Sequence, residues 1–224
     1  MSAGIQGWRR MPSRYRGGMP AERLHLVRHG EVYNPDHVLY ERIDGFGLSD
    51  AGREMTRAAA RHLADRPVTR LVSSPLQRTQ ESSEPFTEQF GLAPVLDERV
   101  IEPWNAFAGK RMKKAVLNPL NWRFLINPSK PSWGEPFTSI ASRMLEGMAA
   151  AWDETSTGDV VIVSHQAPIW IAHLAVAGEK LSHSPTTRRC ALSSVTSFTR
   201  RADGSFEEIA YAEPAAGGID LGAV

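Results

Sequence analysis

Two histidines stand directly after short apolar runs: His29 after Leu24-His25-Leu26-Val27-Arg28, and His165 after Val160-Val161-Ile162-Val163-Ser164. Runs of this length that stop abruptly read as buried strands, and open α/β sheets bind their ligands beyond the carboxyl ends of their strands. The two imidazoles are therefore expected to face one pocket. Arg28 adjoins the first of them, and Arg78 falls on the opening turn of a helix that follows another strand, where anions are favoured. A phosphate ester suits such a set. It carries about −1.5 to −2 charges near neutral pH, and its hydrolysis calls for accelerations up to ~10²¹-fold. Losing one preorganised donor to developing charge typically costs ~2.7–4 kcal/mol, so several convergent cations are needed. Arg28, Arg78 and His165 are the candidates.

Arginine fits the task because its planar fork grips two phosphate oxygens and keeps its charge. His29 is the expected nucleophile, since a neutral imidazole has a free lone pair at neutral pH, and its product is a phosphohistidine. The leaving oxygen needs a proton. Glu102, at a strand-to-loop junction, is the best-placed carboxyl to give it, and Glu31 is the weaker choice. Gly30, without a side chain, is expected to let the backbone turn tightly and approach the anion. Any one of these residues alone has an ordinary structural reading. It is their combination that argues chemistry.

The elements that must hold them alternate. Strands are expected over 24–27, 69–73, 94–96 and 159–163, with helices over about 50–64, capped by Ser49, then 76–90, 137–155 and 168–176. Two further strands, 191–200 and 205–211, flank a hairpin turn at Asp203-Gly204. This alternation implies an α/β fold, a three-layer α/β/α sandwich with a mostly parallel central sheet. The expected organisation is a flexible basic extension over 1–22 and a single domain over 23–224, carrying an insertion at about 103–136. The insertion holds Trp104, Phe107, Lys110, Arg111, Lys113, Lys114, Trp122, Arg123 and Trp133. Loops this long tend to be lids or binding loops; Trp104 and Trp133 are expected to fill core, and one basic or aromatic residue is a candidate substrate contact.

The segment Leu26-Val27-Arg28-His29-Gly30-Glu31, with Asn34 five residues after the histidine, resembles the signature of the histidine phosphatase (phosphoglycerate mutase-like) superfamily. Leu48-Ser49-Asp50-Ala51-Gly52 resembles that family's first helix, and Ser73-Ser74-Pro75-Leu76-Gln77-Arg78-Thr79 its second-arginine motif. Val100-Ile101-Glu102 matches the proton donor and Val161-Ile162-Val163-Ser164-His165 the second histidine. The resemblance implies that His29 is the nucleophile and Glu102 the acid. It places Arg28, Arg78, His165 and Asn34 at the phosphate and implies no metal or other cofactor. The chain departs from the pattern at Gln166, where the family often has glycine, and at Asn105-Ala106-Phe107-Ala108-Gly109, where it has Trp-Glu-Gly. The Arg-Arg-Ser segment and proline run of true phosphoglycerate mutases have no equivalent between Lys110 and Pro131. Hydrolysis of a small phosphomonoester is therefore expected ahead of phosphoglycerate mutase activity, with an inactive phospho-ligand binding module as the third reading.

The whole-chain properties narrow the setting. With 26 basic and 25 acidic residues among 224, a net charge of +1 gives no global field to hold nucleic acid or an anionic membrane. The one cysteine, Cys190, allows no internal disulfide, no apolar run approaches the length of a membrane span, and residues 1–22 lack a signal peptide's apolar region. A cytoplasmic protein acting on a small phosphorylated substrate is expected, with homodimerisation allowed.

Overall fold

The apolar runs become the centre of a six-stranded sheet in the computed structural model, in which residues 21–111, 134–184 and 187–216 are described. The strands are β1 (Arg23–Arg28), β2 (Val68–Ser73), β3 (Val95–Leu96), β4 (Asp159–Ser164), β5 (Val195–Arg200) and β6 (Phe206–Ala212). Their order is β3-β2-β4-β1-β5-β6. The pairs β1/β4, β2/β4 and β2/β3 are parallel, while β5 runs antiparallel to both β1 and β6. The sheet is mostly parallel, as expected.

Among the described residues four helices cover it, two on each face: α1 (Asp50–His62), α2 (Gln77–Phe90), α3 (Phe137–Asp153) and α4 (Gln166–Ala177). Leu24, Leu26, Val160 and Ile162 pack with Met144 and Met148 of α3 and Ile169 and Ile171 of α4. Val27, Val161 and Val163 point the other way and pack with Ala59 and Ala60 of α1 and Phe86 of α2. Successive strand residues point to opposite faces, so a strand covered on both must be apolar throughout. That is why β1 and β4 read as continuous runs.

Local signals set the helix ends. Ser49 Oγ accepts from Gly52 N at 3.0 Å at the start of α1, and Gly91 and Gly178 close α2 and α4 in the left-handed conformation. Helix α4 starts two residues before the expected 168 because Pro168 sits in the first turn, where its missing N–H has no helical partner to lose. Strand β5 begins at Val195 rather than 191. The preceding residues leave the ladder to wrap the end of β1, Ser193 adopting φ 53°. Ala21 is buried and Glu22 N donates to Gly158 O at 2.8 Å, so both residues join the fold. Trp104, expected in the core, is half exposed, and Phe107 is buried instead. Residues 1–20 of the expected extension lie outside the described residues, as do Lys113, Lys114, Trp122, Arg123 and Trp133 of the insertion. No helix among the described residues is long and apolar enough to cross a membrane.

At the amino end of the strands, away from the two site histidines, a buried charge cluster closes the sheet. Asp159, fully buried, accepts from His25 Nε2 at 3.2 Å and from Arg66 at 2.7 and 3.2 Å. Burial would push this carboxyl up, but the hydrogen bonds from His25 and Arg66 outweigh it and hold Asp159 below its ordinary value. The stabilisation is present above the unfolded carboxyl's pKa and is lost as pH falls through the lower folded value. Replacing Asp159 with alanine strands two donors, and a loss of about 3–5 kcal/mol is expected from denaturant melts at neutral pH. A variant as stable as the parent there would show the cluster to be idle.

Candidate active site

The site is assembled from the carboxyl ends of three neighbouring strands. His29 follows β1, and its backbone is fixed on both sides: its N–H donates to Ser164 O at 3.0 Å and its carbonyl accepts from Ser193 N at 3.3 Å. The ring is fixed too, since Nδ1 lies 2.7 Å from Gly30 O. A carbonyl only accepts, so Nδ1 carries the proton and Nε2 keeps its lone pair. Burial, then the charges of Arg78 and Arg28, hold His29 well below its ordinary pKa. The neutral, nucleophilic form thus persists to low pH.

His165 follows β4 and is fully buried, with its ring centroid 5.3 Å from that of His29. Its Nε2 lies 2.8 Å from the hydroxyl of Ser74, at the end of β2, and its Nδ1 lies 3.5 Å from Glu102 Oε2. That second contact is within ion-pair range but too long for a hydrogen bond, and Nδ1 is buried without a hydrogen-bond partner. Burial, followed by Arg78 and His29, holds His165 well below its ordinary value. His165 is therefore a neutral hydrogen-bonding imidazole here rather than the third cation expected. A dianion beside it would favour the charged form.

The two arginines are almost wholly buried, at 3% exposure for Arg28 and 1% for Arg78. Each is braced from behind by a backbone carbonyl. Arg28 Nη1 donates to Cys190 O at 2.6 Å, and Arg78 Nη2 donates to Glu41 O at 2.6 Å. Arg78 also lies over the ring of Tyr40, 4.8 Å from its centroid. The Nε of each guanidinium is buried without a partner. Orphaned charged donors of this kind call for an anion.

Glu102 joins from the segment after a short 3-10 turn, Glu98–Val100, which Ser164 Oγ ties to the end of β4 by donating to Val100 O at 2.7 Å. Burial raises its pKa, against the lowering charges of Arg78, Arg188, Arg28 and Arg143. The weaker candidate, Glu31, accepts from the Ser49 hydroxyl at the start of α1. Among the described residues the Asn34 side chain bonds Val38: its Nδ2 donates to Val38 O at 2.9 Å and its Oδ1 accepts from Val38 N at 3.2 Å. Gly30 also has a packing role. A Cβ there would lie 2.3 Å from Gly52 O, so it allows α1 to press against the loop.

Three site residues escaped the sequence reading. Tyr40 and Glu41 lie in a stretch with no periodicity, and Arg188 is one of an ordinary-looking arginine pair. Arg188 Nε donates to His183 Nε2 at 3.0 Å, and its charge acts on both Glu102 and Glu41. The one available signal was Glu41 itself, an acidic residue amid loop residues close to the first motif. A separate cavity of about 210 Å³ lies beside edge strand β3, lined by Arg70, Leu96, Arg99 and Glu154 among others, and shares none of these groups.

Fold and site together define an α/β sandwich that gathers two imidazoles and two guanidiniums at the carboxyl end of its parallel strands. The model of the histidine phosphatase superfamily (branch 1) matches residues 24–212, and the chain belongs to that superfamily. It is 43% identical over 202 residues to Rv0525, an uncharacterized protein of Mycobacterium tuberculosis, covering 88% of this chain and all of the relative. It is 28% identical over 170 residues to phosphoserine phosphatase 1 of Hydrogenobacter thermophilus, covering 71% of this chain and 78% of that one. Among solved structures, a mycobacterial glucosyl-3-phosphoglycerate phosphatase superposes with a TM-score of 0.69 at 22% identity, covering 84% of this chain and 97% of the other. A putative alpha-ribazole-5'-P phosphatase of Escherichia coli superposes with a TM-score of 0.74 at 17% identity, covering 88% and 99%. Such likenesses in structure carry the fold.

Proposed function

We propose that the protein hydrolyses a small phosphomonoester through a phosphohistidine at His29, without a metal. The observation that carries the reading is the Nε2 of His29, freed by the Nδ1 bond to Gly30 and set among Arg28, Arg78 and His165. In the first step Nε2 bonds to phosphorus as the ester P–O bond breaks, and the leaving oxygen takes the proton of Glu102. Water then attacks phosphorus and gives a proton to the Glu102 carboxylate. The N–P bond breaks, releasing phosphate and restoring both groups. Arg28, Arg78 and His165 hold the phosphoryl oxygens throughout, because their positions are fixed before charge develops. Asn34, with its amide committed to Val38, shapes the loop that carries Tyr40 and Glu41 rather than touching phosphate.

The names of relatives support the reaction class, in that phosphoserine and glucosyl-3-phosphoglycerate are both phosphomonoesters. The chain would then be one catalytic domain from Ala21 onward behind a basic extension, at work in the reducing cytoplasm that one buried cysteine suits. A generic aryl phosphate should be hydrolysed in the presence of a chelator, and acid-sensitive phosphate should be trapped on His29 during turnover. Binding without a trapped phosphohistidine would make this a phospho-ligand binding module instead. Relatives named as phosphoglycerate mutases, at 25% and 27% identity, keep that activity in view. Rapid interconversion of 3- and 2-phosphoglycerate with a bisphosphate primer would replace hydrolysis as the main reaction.

Glu102→Gln should lower kcat for an alkyl phosphate by about 10²–10⁴-fold, with a smaller loss for an aryl phosphate whose leaving group needs little protonation. Equal losses on the two substrates would place the acid elsewhere.

A further inference from the structure

Partly buried arginines elsewhere in this chain are met by carboxylates: Arg66 by Asp159 at 2.7 Å, and Arg143 by Glu135 at 2.8 Å. Arg188, also partly buried, is met by neutral side chains instead. Its Nε donates to His183 Nε2 at 3.0 Å, and its Nη1 lies 3.5 Å from the Gln166 amide oxygen. His183 can accept because its other nitrogen, Nδ1, donates to Leu181 O at 2.7 Å and so carries the ring's proton. Burial holds that imidazole below its ordinary pKa. Its ring is clamped between Phe137 of α3, with centroids 5.2 Å apart, and Trp170 of α4, at 6.2 Å. Arg188 is thus aimed without being neutralised. Among the described residues no carboxylate lies within ion-pair distance of it, and Glu102 reaches His165 instead. The place is the site itself. Gln166 directly follows His165, and two residues beyond Arg188 the Cys190 carbonyl braces Arg28.

We propose that Arg188 binds a carboxylate on the alcohol half of the substrate, so that the enzyme selects phosphomonoesters of hydroxy acids. This rests on the reading of the site as a phosphomonoesterase with Glu102 as the acid. The transferred phosphoryl group already has Arg28, Arg78 and His165 around it. The charge of Arg188 is felt instead at Glu102 and Glu41, whereas His29 feels Arg78 and Arg28. That is the side from which the leaving oxygen is protonated. Glu102 is protonated while it serves as the acid, and Glu41 is pushed up to about 8, by burial first, so neither answers the guanidinium at neutral pH. With Nε held by His183 and Nη1 only at the limit of a hydrogen bond from Gln166, the Nη groups remain for a ligand. Two N–H groups on a planar fork match the two oxygens of a carboxylate. A bound ester without such a group would leave a desolvated, charged donor unmatched, so the same arginine discriminates against it.

The test compares two esters that differ only in the group at issue: 3-phosphoglycerate, and glycerol 3-phosphate, which has a hydroxymethyl group in place of the carboxylate. In the parent, kcat/KM should favour 3-phosphoglycerate by about 10–100-fold, and that ratio should fall to near one in Arg188→Gln. Arg188→Lys keeps the charge but not the fork, and its ratio should lie between the two. Both leaving groups are primary alkoxides that meet the same acid, so a general loss of activity, or a shift in Glu102, cancels in the ratio. Equal use of the two esters by the parent would overturn the proposal without any variant having to fold. An Arg188→Gln enzyme that keeps the parent's ratio would overturn it too, since both esters weakened alike would put Arg188 at the phosphoryl group or in a structural role. Calorimetric titration of the same pair into His29→Ala, with and without Arg188→Gln, reads the ratio without turnover. A preference lost with Arg188 there, beside a parent that hydrolyses neither ester, keeps the carboxylate site and defeats the hydrolysis reading. Turnover of both esters at equal efficiency defeats only the carboxylate site.

Discussion

Replacing His29 with alanine is expected to reduce turnover of any phosphomonoester by on the order of 10⁴–10⁶-fold, the scale met when the nucleophile of a tightly coupled set is removed. The reason is geometric as well as chemical. His29 is 3% exposed, its ring is aimed by Gly30 O, and its backbone is held by Ser164 and Ser193, so its Nε2 lone pair is fixed in place. Binding of inorganic phosphate should survive, because Arg28 and Arg78 are braced by Cys190 O and Glu41 O rather than by the imidazole. Phosphate release, phosphohistidine trapping and phosphate protection against heat, measured side by side, distinguish loss of the nucleophile from loss of the fold. An equally active His29→Ala protein would defeat the assignment.

The next largest effect is expected at Arg78. Arg78→Lys keeps the charge but loses the planar fork, and a fall in kcat of about 10²–10³-fold is expected, as for removal of one preorganised donor to developing charge. Lysine offers its donors from one nitrogen, so it cannot reproduce the fork that spans Glu41 O and the phosphate, and it gives up the planar contact over the Tyr40 ring. Competitive inhibition by inorganic phosphate should weaken as well, since the guanidinium meets phosphate in ground state and transition state alike. Unchanged turnover together with unchanged phosphate inhibition would remove Arg78 from the phosphate site.

Much of this architecture is legible in the chain itself. Leu24, Leu26 and Val27, like Val160 to Val163, are apolar because helices cover both faces of the strands they form, so the central pair of the sheet can be read directly despite His25. Ser49 announces α1 by accepting from Gly52 N, a contact between residues three apart. The positions of His29, Arg28 and His165 follow from the same logic, since each stands where a buried strand stops and a parallel sheet opens to ligands. Arg78 was found likewise, from the strand end before it and the helix that it opens.

Other features depend on contacts between residues far apart in sequence, for which no local pattern exists. The Asn34 side chain is tied to Val38 on both its amide atoms, and the missing side chain of Gly30 makes room for Gly52. Val195 starts β5 later than its apolar neighbours suggest, because residues 190–194 are drawn away to hold Arg28 and His29. Glu41, Tyr40 and Arg188 enter the site only when loops around the strand ends are folded over it. Burial and capping act over a few neighbouring residues, so the strands, the helices and the four charged or imidazole groups near strand ends can be read along the chain. Which loop residues share that space, and so set its protonation, is fixed on folding, because a carboxyl's proton depends on every charge and every water excluded around it, wherever in the chain those neighbours arise.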